Sequence, residues 1–287
     1  MTIVYRQPVT EDIPAMAELG SRCQADPSFH IAYLGLDAAA IATDIGELDG
    51  WTETSTVAVE DQQVIGWLVG EIDLDMGRLW WWGPFATADD RWAEIADMLY
   101  TETRRRLPSA ITEEEACADD RSDAVRRWCD RHRLEANTAS VLLQRPPTPA
   151  VVDPRIRPLA DGDHQAVGVL HDLAFPGTHT TAAALVESDH PRLLIELDGR
   201  VVGYVAFELQ SDGSGYIDYL AVDDAHRGAG LGRALVDHAC HDMFAAGATY
   251  AHLTVREDNP AARALYSRLG FVEERLARPY RLGFDLG

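Results

Sequence analysis

The stretch His226-Arg227-Gly228-Ala229-Gly230-Leu231-Gly232-Arg233 decides how this chain is read. An apolar run precedes it (Ile217, Tyr219, Leu220, Ala221, Val222), and an amphipathic one follows (Ala234, Leu235, Val236, Ala239). The pattern predicts a strand, a glycine-rich turn and the start of a helix. Successive backbone N–H groups in such a turn, together with the positive end of the helix, form a socket for an anionic group, most often a phosphate. Gly228, Gly230 and Gly232 carry no Cβ to obstruct that closure. The plainer alternative is a helix N-terminus whose glycines serve only tight packing.

Other phosphate-binding turns lack their defining residues here. There is no G-x-G-x-x-G, and no acidic residue ends a following strand about 20 residues on, so a dinucleotide site is not indicated. A phosphate-loop lysine is impossible, because all 25 basic residues are arginine.

Composition narrows the class. A length of 287 residues suggests two domains, and 46% apolar with 25% charged residues fits a globular protein with sizeable cores. No run of about 18 apolar residues occurs, so no membrane partner is expected. The N-terminal MTIVYRQPVTED has acids where a secretory signal needs a basic end, which makes a cytoplasmic location the expectation. Cys23, Cys117, Cys129 and Cys240 are scattered, and the ten histidines form no H-E-x-x-H, so no metal site is expected. A net charge of −22 argues against a nucleic-acid partner and would steer a cationic amine towards the protein, although it serves solubility equally well.

The chain also repeats itself. Under a shift of 137 residues, Val201-Val202-Gly203-Tyr204 falls on Val64-Ile65-Gly66-Trp67, Val222 on Phe85, Leu235 on Met98, and Pro260-Ala261-Ala262-Arg263 on Asp123-Ala124-Val125-Arg126. Arg157 and Asp163 match Arg6 and Asp12 at a shift of 151, so the first copy carries about 14 extra residues near positions 21 to 50. In each copy a strand (Ile3–Arg6; Ile156–Pro158) leads to a helix opened near Thr10 or Asp161. Two alternating runs follow, Thr56–Glu60 with Val64–Ile72, and Arg192–Glu196 with Val201–Glu208. Asp61-Gln62-Gln63 and Asp198-Gly199-Arg200 form their turns. Arg145-Pro146-Pro147-Thr148-Pro149 reads as a stiff linker. The expected domains are 1–145 and 154–287, with 146–153 between them.

At this point the second copy resembles the GCN5-related N-acetyltransferases, or GNAT proteins. Arg227-Gly228-Ala229-Gly230-Leu231-Gly232 is similar to that family's [Q/R]-x-x-G-x-[G/A] signature, and Asn259-Pro260-Ala261-Ala262-Arg263-Ala264-Leu265-Tyr266 is similar to its later segment. The resemblance implies an α/β fold built on a mixed α+β sheet, as two tandem GNAT-like acyl-CoA N-acyltransferase domains. It also implies acetyl-CoA as co-substrate, with its pantetheine arm in an opening between the fourth and fifth strands. Backbone groups of Leu220, Ala221 and Val222 would pair with that arm. Those of Gly228, Ala229, Gly230, Leu231, Gly232 and Arg233, beside Arg227, would hold the pyrophosphate, and Asn259 would bond the arm. Tyr266 would protonate the leaving thiolate, and an amide N–H near Leu220 would meet the oxyanion. The acceptor would be a small-molecule or peptide amine, and a homodimer is compatible with this layout.

The general base is left open. Some family members carry glutamate 12 residues before the tyrosine, where this chain has Thr254. His252, on the same strand face, and Asp218, on the fourth strand, are the candidates. The missing glutamate also leaves a non-catalytic acyl-CoA-binding or regulatory protein as an alternative. Tandem members with one worn copy include mycothiol synthase, so an amino-sugar acetyltransferase of that kind is another.

The first copy is expected to have lost cofactor binding. Under the shift of 137, Asp90 replaces Arg227, Ala93 replaces Gly230, Ile95 replaces Gly232, Pro84 replaces Ala221, Cys129 replaces Tyr266 and Ser122 replaces Asn259. Trp80-Trp81-Trp82 reads as core packing or, alternatively, as an aromatic wall for a cationic substrate.

Overall fold

The two hairpin turns match their residues. Asp61 and Gln62 have φ of 49° and 65°, and Asp198 and Gly199 have φ of 50° and 75°. Positive φ at both central positions marks the type I′ turn, whose twist suits a two-residue hairpin. The computed structural model describes residues 2–283 except Tyr33, Ala88, Asp89, Ala150, Val151, Gly177, His179 and Ser211.

The first half of the chain contains β1 (Val4–Arg6), α1 (Ile13–Gln24), α2 (Ala38–Glu47), β2 (Ser55–Glu60), β3 (Gln63–Asp73), β4 (Arg78–Ala86), α3 (Trp92–Arg104), β5 (Glu113–Asp119), α4 (Asp123–Arg131), β6 (Glu135–Ala136) and β7 (Ser140–Arg145). The second half contains β8 (Ile156–Pro158), α5 (His164–Ala174), α6 (Ala182–Glu187), β9 (Arg192–Leu197), β10 (Arg200–Leu209), β11 (Gly215–Val222), α7 (Leu231–Ala245), β12 (Ala251–Arg256), α8 (Pro260–Arg268) and β13 (Val272–Gly283). Each half opens alike. Arg6 binds Asp12 at 2.6 Å and Arg157 binds Asp163 at 2.6 Å, each pinning the first strand to a short helical turn. Among the described residues no helix is long and apolar enough to cross a membrane.

The compact units do not follow the expected boundaries. They are Met1–Ser140 with Arg275–Gly287, and Val141–Glu274. The sequence places domain ends at the linker prolines, but each unit takes its last strand from the other half. In the first unit β13 pairs antiparallel with β5, from Ala277↔Asp119 to Gly283↔Glu113. Arg278 binds Asp120 at 2.8 Å there, and Arg281 binds Glu115. In the second unit β7 lies beside β12. Its terminal Arg145, read from sequence as linker, is buried and bound to Asp237 of α7 at 2.9 Å. A proline run marks where a strand must stop. It does not say which sheet the strand joins.

In the first unit the core is aromatic. Trp67, Trp81, Trp128 and Phe85 are fully enclosed. Trp81 donates to buried Glu114 at 2.9 Å, and Trp82 donates to Glu71 at 3.1 Å. Trp80 already carries the Arg78 guanidinium over its ring at 5.8 Å. The tryptophan run therefore serves packing.

Strand pairing corrects one detail of the repeat. Gly203 pairs with Val222, and Gly66 pairs with Ala86. Asp223 N–H donates to the Val202 carbonyl as Thr87 N–H donates to that of Ile65, each at 2.9 Å. The two strands thus correspond at a shift of 136, not 137. Val222 matches Ala86 rather than Phe85, and Pro84 matches Leu220 rather than Ala221. Between the matching pairs Ile72↔Leu79 and Leu209↔Gly215, the first unit's turn, 73–78, is one residue longer than 210–214. The slip continues into the helix, where Leu99 rests on Gly66 as Leu235 rests on Gly203, while Met98 is exposed. On that register Gly228, Gly230 and Gly232 face Trp92, Glu94 and Ala96. The first-unit helix already starts at Trp92, so helix occupies the place of the glycine turn. Beyond it the shift returns to 137. Ser122 precedes α4 as Asn259 precedes α8, and Leu134 N–H bonds the Cys129 carbonyl as Phe271 N–H bonds that of Tyr266.

In the second unit the order is β7-β12-β11-β10-β9-β8. Tyr204, Ala206, Tyr219 and Ala221 pack against Val167, Leu170 and Leu185 of α5 and α6. Alternation sends Gly203 to the opposite face, where Leu235 of α7 covers it. The α7 residues Leu231, Leu235, Val236, Ala239, Cys240 and Met243 are buried and make the helical stripe that docks there.

Candidate active site

The site in the second unit starts where two strands part. Among the described residues the parallel ladder of β11 and β12 runs only from Gly215↔Ala251 to Ile217↔Leu253. Beyond it β11 stays on β10, but Asp218 is an extra residue between the pairs Ala206↔Tyr219 and Phe207↔Ile217. Such a bulge bends the strand. Because Asp223 N–H bonds β10, alternation turns the N–H and C=O groups of Leu220 and Val222 away from β10 and into the opening. Ala221 faces the other way, its carbonyl lying over Gly203 on β10. Of the three residues expected to pair with an extended ligand, two therefore present their backbone.

The glycine turn lies at the end of β11. Gly228 and Gly230 have φ of 81° and 79°, and a Cβ at either would meet nothing within 4 Å. Their need for glycine is conformational, since a left-handed residue with a side chain costs about 1–2 kcal/mol. Gly232 is different. It lies in the helix, with Leu220, Val222 and Leu265 side chains around its Cβ position. Gly230 is the N-cap of α7 and offers no side-chain cap, and Ala234 N–H donates to the Gly230 carbonyl at 3.0 Å, opening the helical ladder. The N–H groups of Leu231, Gly232 and Arg233 thus head the helix without an intrahelical acceptor. Residues 227–230 are exposed. Arg227 pairs with Asp224 at 2.7 Å on the surface, and Arg233 lies 3.6 Å from Asp237. An uncapped helix N-terminus beside left-handed glycines offers the donors and the positive dipole end that an anion needs.

Tyr266 and Asn259 both lie on or at α8. Asn259 Oδ1 accepts from Ala262 N–H at 3.1 Å and so caps the helix. Tyr266 is 7% exposed and packs edge-on to Phe271 at 5.7 Å. Burial, and then the neighbouring Tyr216, push its phenol up to about 12. The group stays protonated at ordinary pH and keeps a proton to donate.

The two candidate bases are placed differently. Asp218 is exposed on the bulge, at the mouth of the opening. His252 pairs with Tyr216, inside the closed part of the ladder. Its Nε2 lies 2.9 Å from Gln210 Oε1 and 3.2 Å from Ser214 Oγ. Leu220 is four residues further along β11, roughly 13 Å at strand rise. Sequence reasoning missed Tyr216. Its hydroxyl lies 3.2 Å from Thr254 Oγ1, and burial raises its phenol, with the charge of Asp218 adding to the shift. It also packs against the His252 ring at 5.0 Å. Its strand alternation with Asp218 was the available signal.

Comparison with known proteins points to one family. The profile of the Acetyltransferase (GNAT) family matches residues 164–271. An N-acetyltransferase of Methanocaldococcus jannaschii is 35% identical over 129 residues, spanning 44% of this chain and 82% of that protein. The [ribosomal protein bS18]-alanine N-acetyltransferase of Escherichia coli is 31% identical over 107 residues, spanning 37% of this chain and 72% of that one. A tandem GNAT protein from the clavulanic acid biosynthesis pathway has a similar fold across 98% of both chains, with a TM-score of 0.70 at 13% identity. The chain belongs to the GNAT acetyltransferase family. It is an acyl-CoA-dependent acetyltransferase, and acetyl-CoA is the co-substrate that this family uses.

Proposed function

We propose that this chain moves an acetyl group from acetyl-CoA to a primary amine of a small molecule or peptide, by direct attack in a ternary complex held in the second unit. The observation that carries this is the meeting of two features at one end of β11. The uncapped N-terminus of α7 supplies donors for a diphosphate, and the opening beside Leu220 and Val222 supplies backbone partners for an amide-bearing arm. On this reading the pyrophosphate lies on residues 228–233, the thioester carbonyl meets the Leu220 N–H, and Tyr266 returns a proton to the departing sulfur.

The acceptor amine must lose a proton to attack. Asp218 is exposed at the opening, whereas His252 lies in the closed part of the ladder, opposite Tyr216 and four residues of strand before Leu220. We therefore favour Asp218, acting directly or through water. The first unit takes no acyl-CoA in this mode, since Pro84 and the early start of α3 remove the equivalent donors.

The test is thiol release from acetyl-CoA across a panel of amines. Turnover should be lost in Tyr266→Phe while acetyl-CoA binding stays. A chain that binds acetyl-CoA tightly yet turns over no amine is a binding protein, and the proposal fails.

A further inference from the structure

The connection between α1 and α2, residues 25–37, is longer than its counterpart 175–181 between α5 and α6. Part of it enters the first unit's own opening. Ile31 forms an antiparallel bridge with Ala118. Ala32 N–H donates to the Cys117 carbonyl at 2.8 Å, and Asp119 N–H donates to the His30 carbonyl at 3.1 Å. One edge of β5 is already taken by β13 over Glu113–Asp119. These bonds therefore fall on the edge facing β4, just past Trp81↔Ala116, where the parallel ladder stops. Trp81↔Ala116 is the counterpart of Ile217↔Leu253 in the second unit.

The segment is firmly held. Gln24 Oε1 accepts from Ile31 N–H at 2.8 Å, and Gln24 Nε2 donates to the carbonyls of Ile31 at 3.1 Å and Leu34 at 2.6 Å. Ser122, which stands where Asn259 stands, donates to the Ser28 carbonyl at 2.7 Å. Gln24, His30 and Ile31 are buried, and His30 meets Arg275. Among the described residues no such bridge is found on the matching edge of the second unit, where Thr254–Arg256 of β12 face β11.

We propose that residues 28–32 are an internal occupant of the first unit's cofactor cleft. A length of the chain's own backbone lies where the second unit would take the pantetheine arm, and it keeps the first unit closed to acyl-CoA. This rests on the reading of the β11–β12 opening as the cofactor cleft. The physics is strand addition: an extended segment satisfies backbone groups on a parted edge that would otherwise need water or a ligand. It also gives the extra residues of the first copy a purpose. The loss of the glycine turn disables the phosphate end of the cleft, and the segment fills its middle.

Amide hydrogen exchange on the full chain, with and without acetyl-CoA, tests this. The amides of Ala32 and Asp119 should exchange at least roughly a hundredfold more slowly than unstructured chain in both conditions. Peptides covering 228–233 should slow only when acetyl-CoA is added. Gln24→Ala should speed exchange at Ile31 and Ala32 about tenfold, with acetyl transfer unchanged. Fast exchange at Ala32 and Asp119, or protection that appears there only with acetyl-CoA, overturns the proposal. Protection there without any response at 228–233 overturns the cofactor reading instead, and with it the identity of the cleft. If Gln24→Ala does not fold, the two wild-type measurements decide alone.

Discussion

Pro84 and Leu220 hold the same place in their two units. The next residue in each case, Phe85 or Ala221, sets its carbonyl over the strand glycine, Gly66 or Gly203. Leu220 thereby turns an N–H into the opening of the second unit, and Pro84 has none to turn. Leu220→Pro should remove that donor without cutting a bond to β10. Loss of one oxyanion donor typically costs ~10²–10³ in kcat. Steady-state kinetics with Leu220→Ala as control will check it. If the proline variant is no worse than the alanine one, the Leu220 amide has no role in the reaction.

Tyr266→Phe should lower kcat by about 10²-fold or more, with acetyl-CoA affinity within roughly twofold of wild type. The pH profile should show the same assignment. The phenol is pushed up to about 12, so it remains a competent acid throughout. The rate should rise with pH as the acceptor amine deprotonates and should show no falling limb below about pH 10. A descending limb centred near pH 9 would contradict Tyr266 as the acid.

Gly230→Ala places a Cβ at φ of 79°. The strain of about 1–2 kcal/mol should disturb the turn and raise the KM for acetyl-CoA by roughly tenfold. The kcat should change little, since the turn binds the far end of the cofactor. A KM unchanged by this substitution would mean that the turn does not hold the diphosphate.

His30 gives a pH-dependent stability. Burial, then the Arg275 charge, lower its imidazole to about 4, while an unfolded histidine titrates near 6.5. The folded imidazole is thus neutral where the unfolded one is protonated. Stability is unaffected above about pH 6.5 and is lost as pH falls from there towards 4, by up to roughly 3 kcal/mol. Buried Glu114 has a raised carboxyl and acts in the opposite direction, so the contrast between wild type and His30→Gln is the clean measure. Denaturant unfolding at a series of pH values should show the two converging as pH falls. Parallel curves would remove His30 as the cause.

Much of the site was legible because its demands are local. A left-handed turn at Gly228 and Gly230 needs glycine, and a buried tyrosine on α8 follows its cap by a fixed spacing, so residue types alone mark both. The hairpins at Asp61 and Asp198 were readable for the same reason. What escaped was non-local. The partners of β7 and β13 depend on sheet edges distant in sequence, and nothing in 140–145 or 272–283 names them. The one-residue slip arises in the turn 73–78, and an ungapped comparison passes over it. Residues 28–32 carry no strand pattern, because a single bridge held by Gln24 needs none.

The most direct test is calorimetric titration of the purified chain with acetyl-CoA. One site per chain is predicted, abolished by Gly228→Glu with Gly230→Glu and unchanged by Asp90→Ala in the first unit. Absence of binding, or binding indifferent to the paired glutamates, would contradict the assignment of the α7 turn as the cofactor's grip.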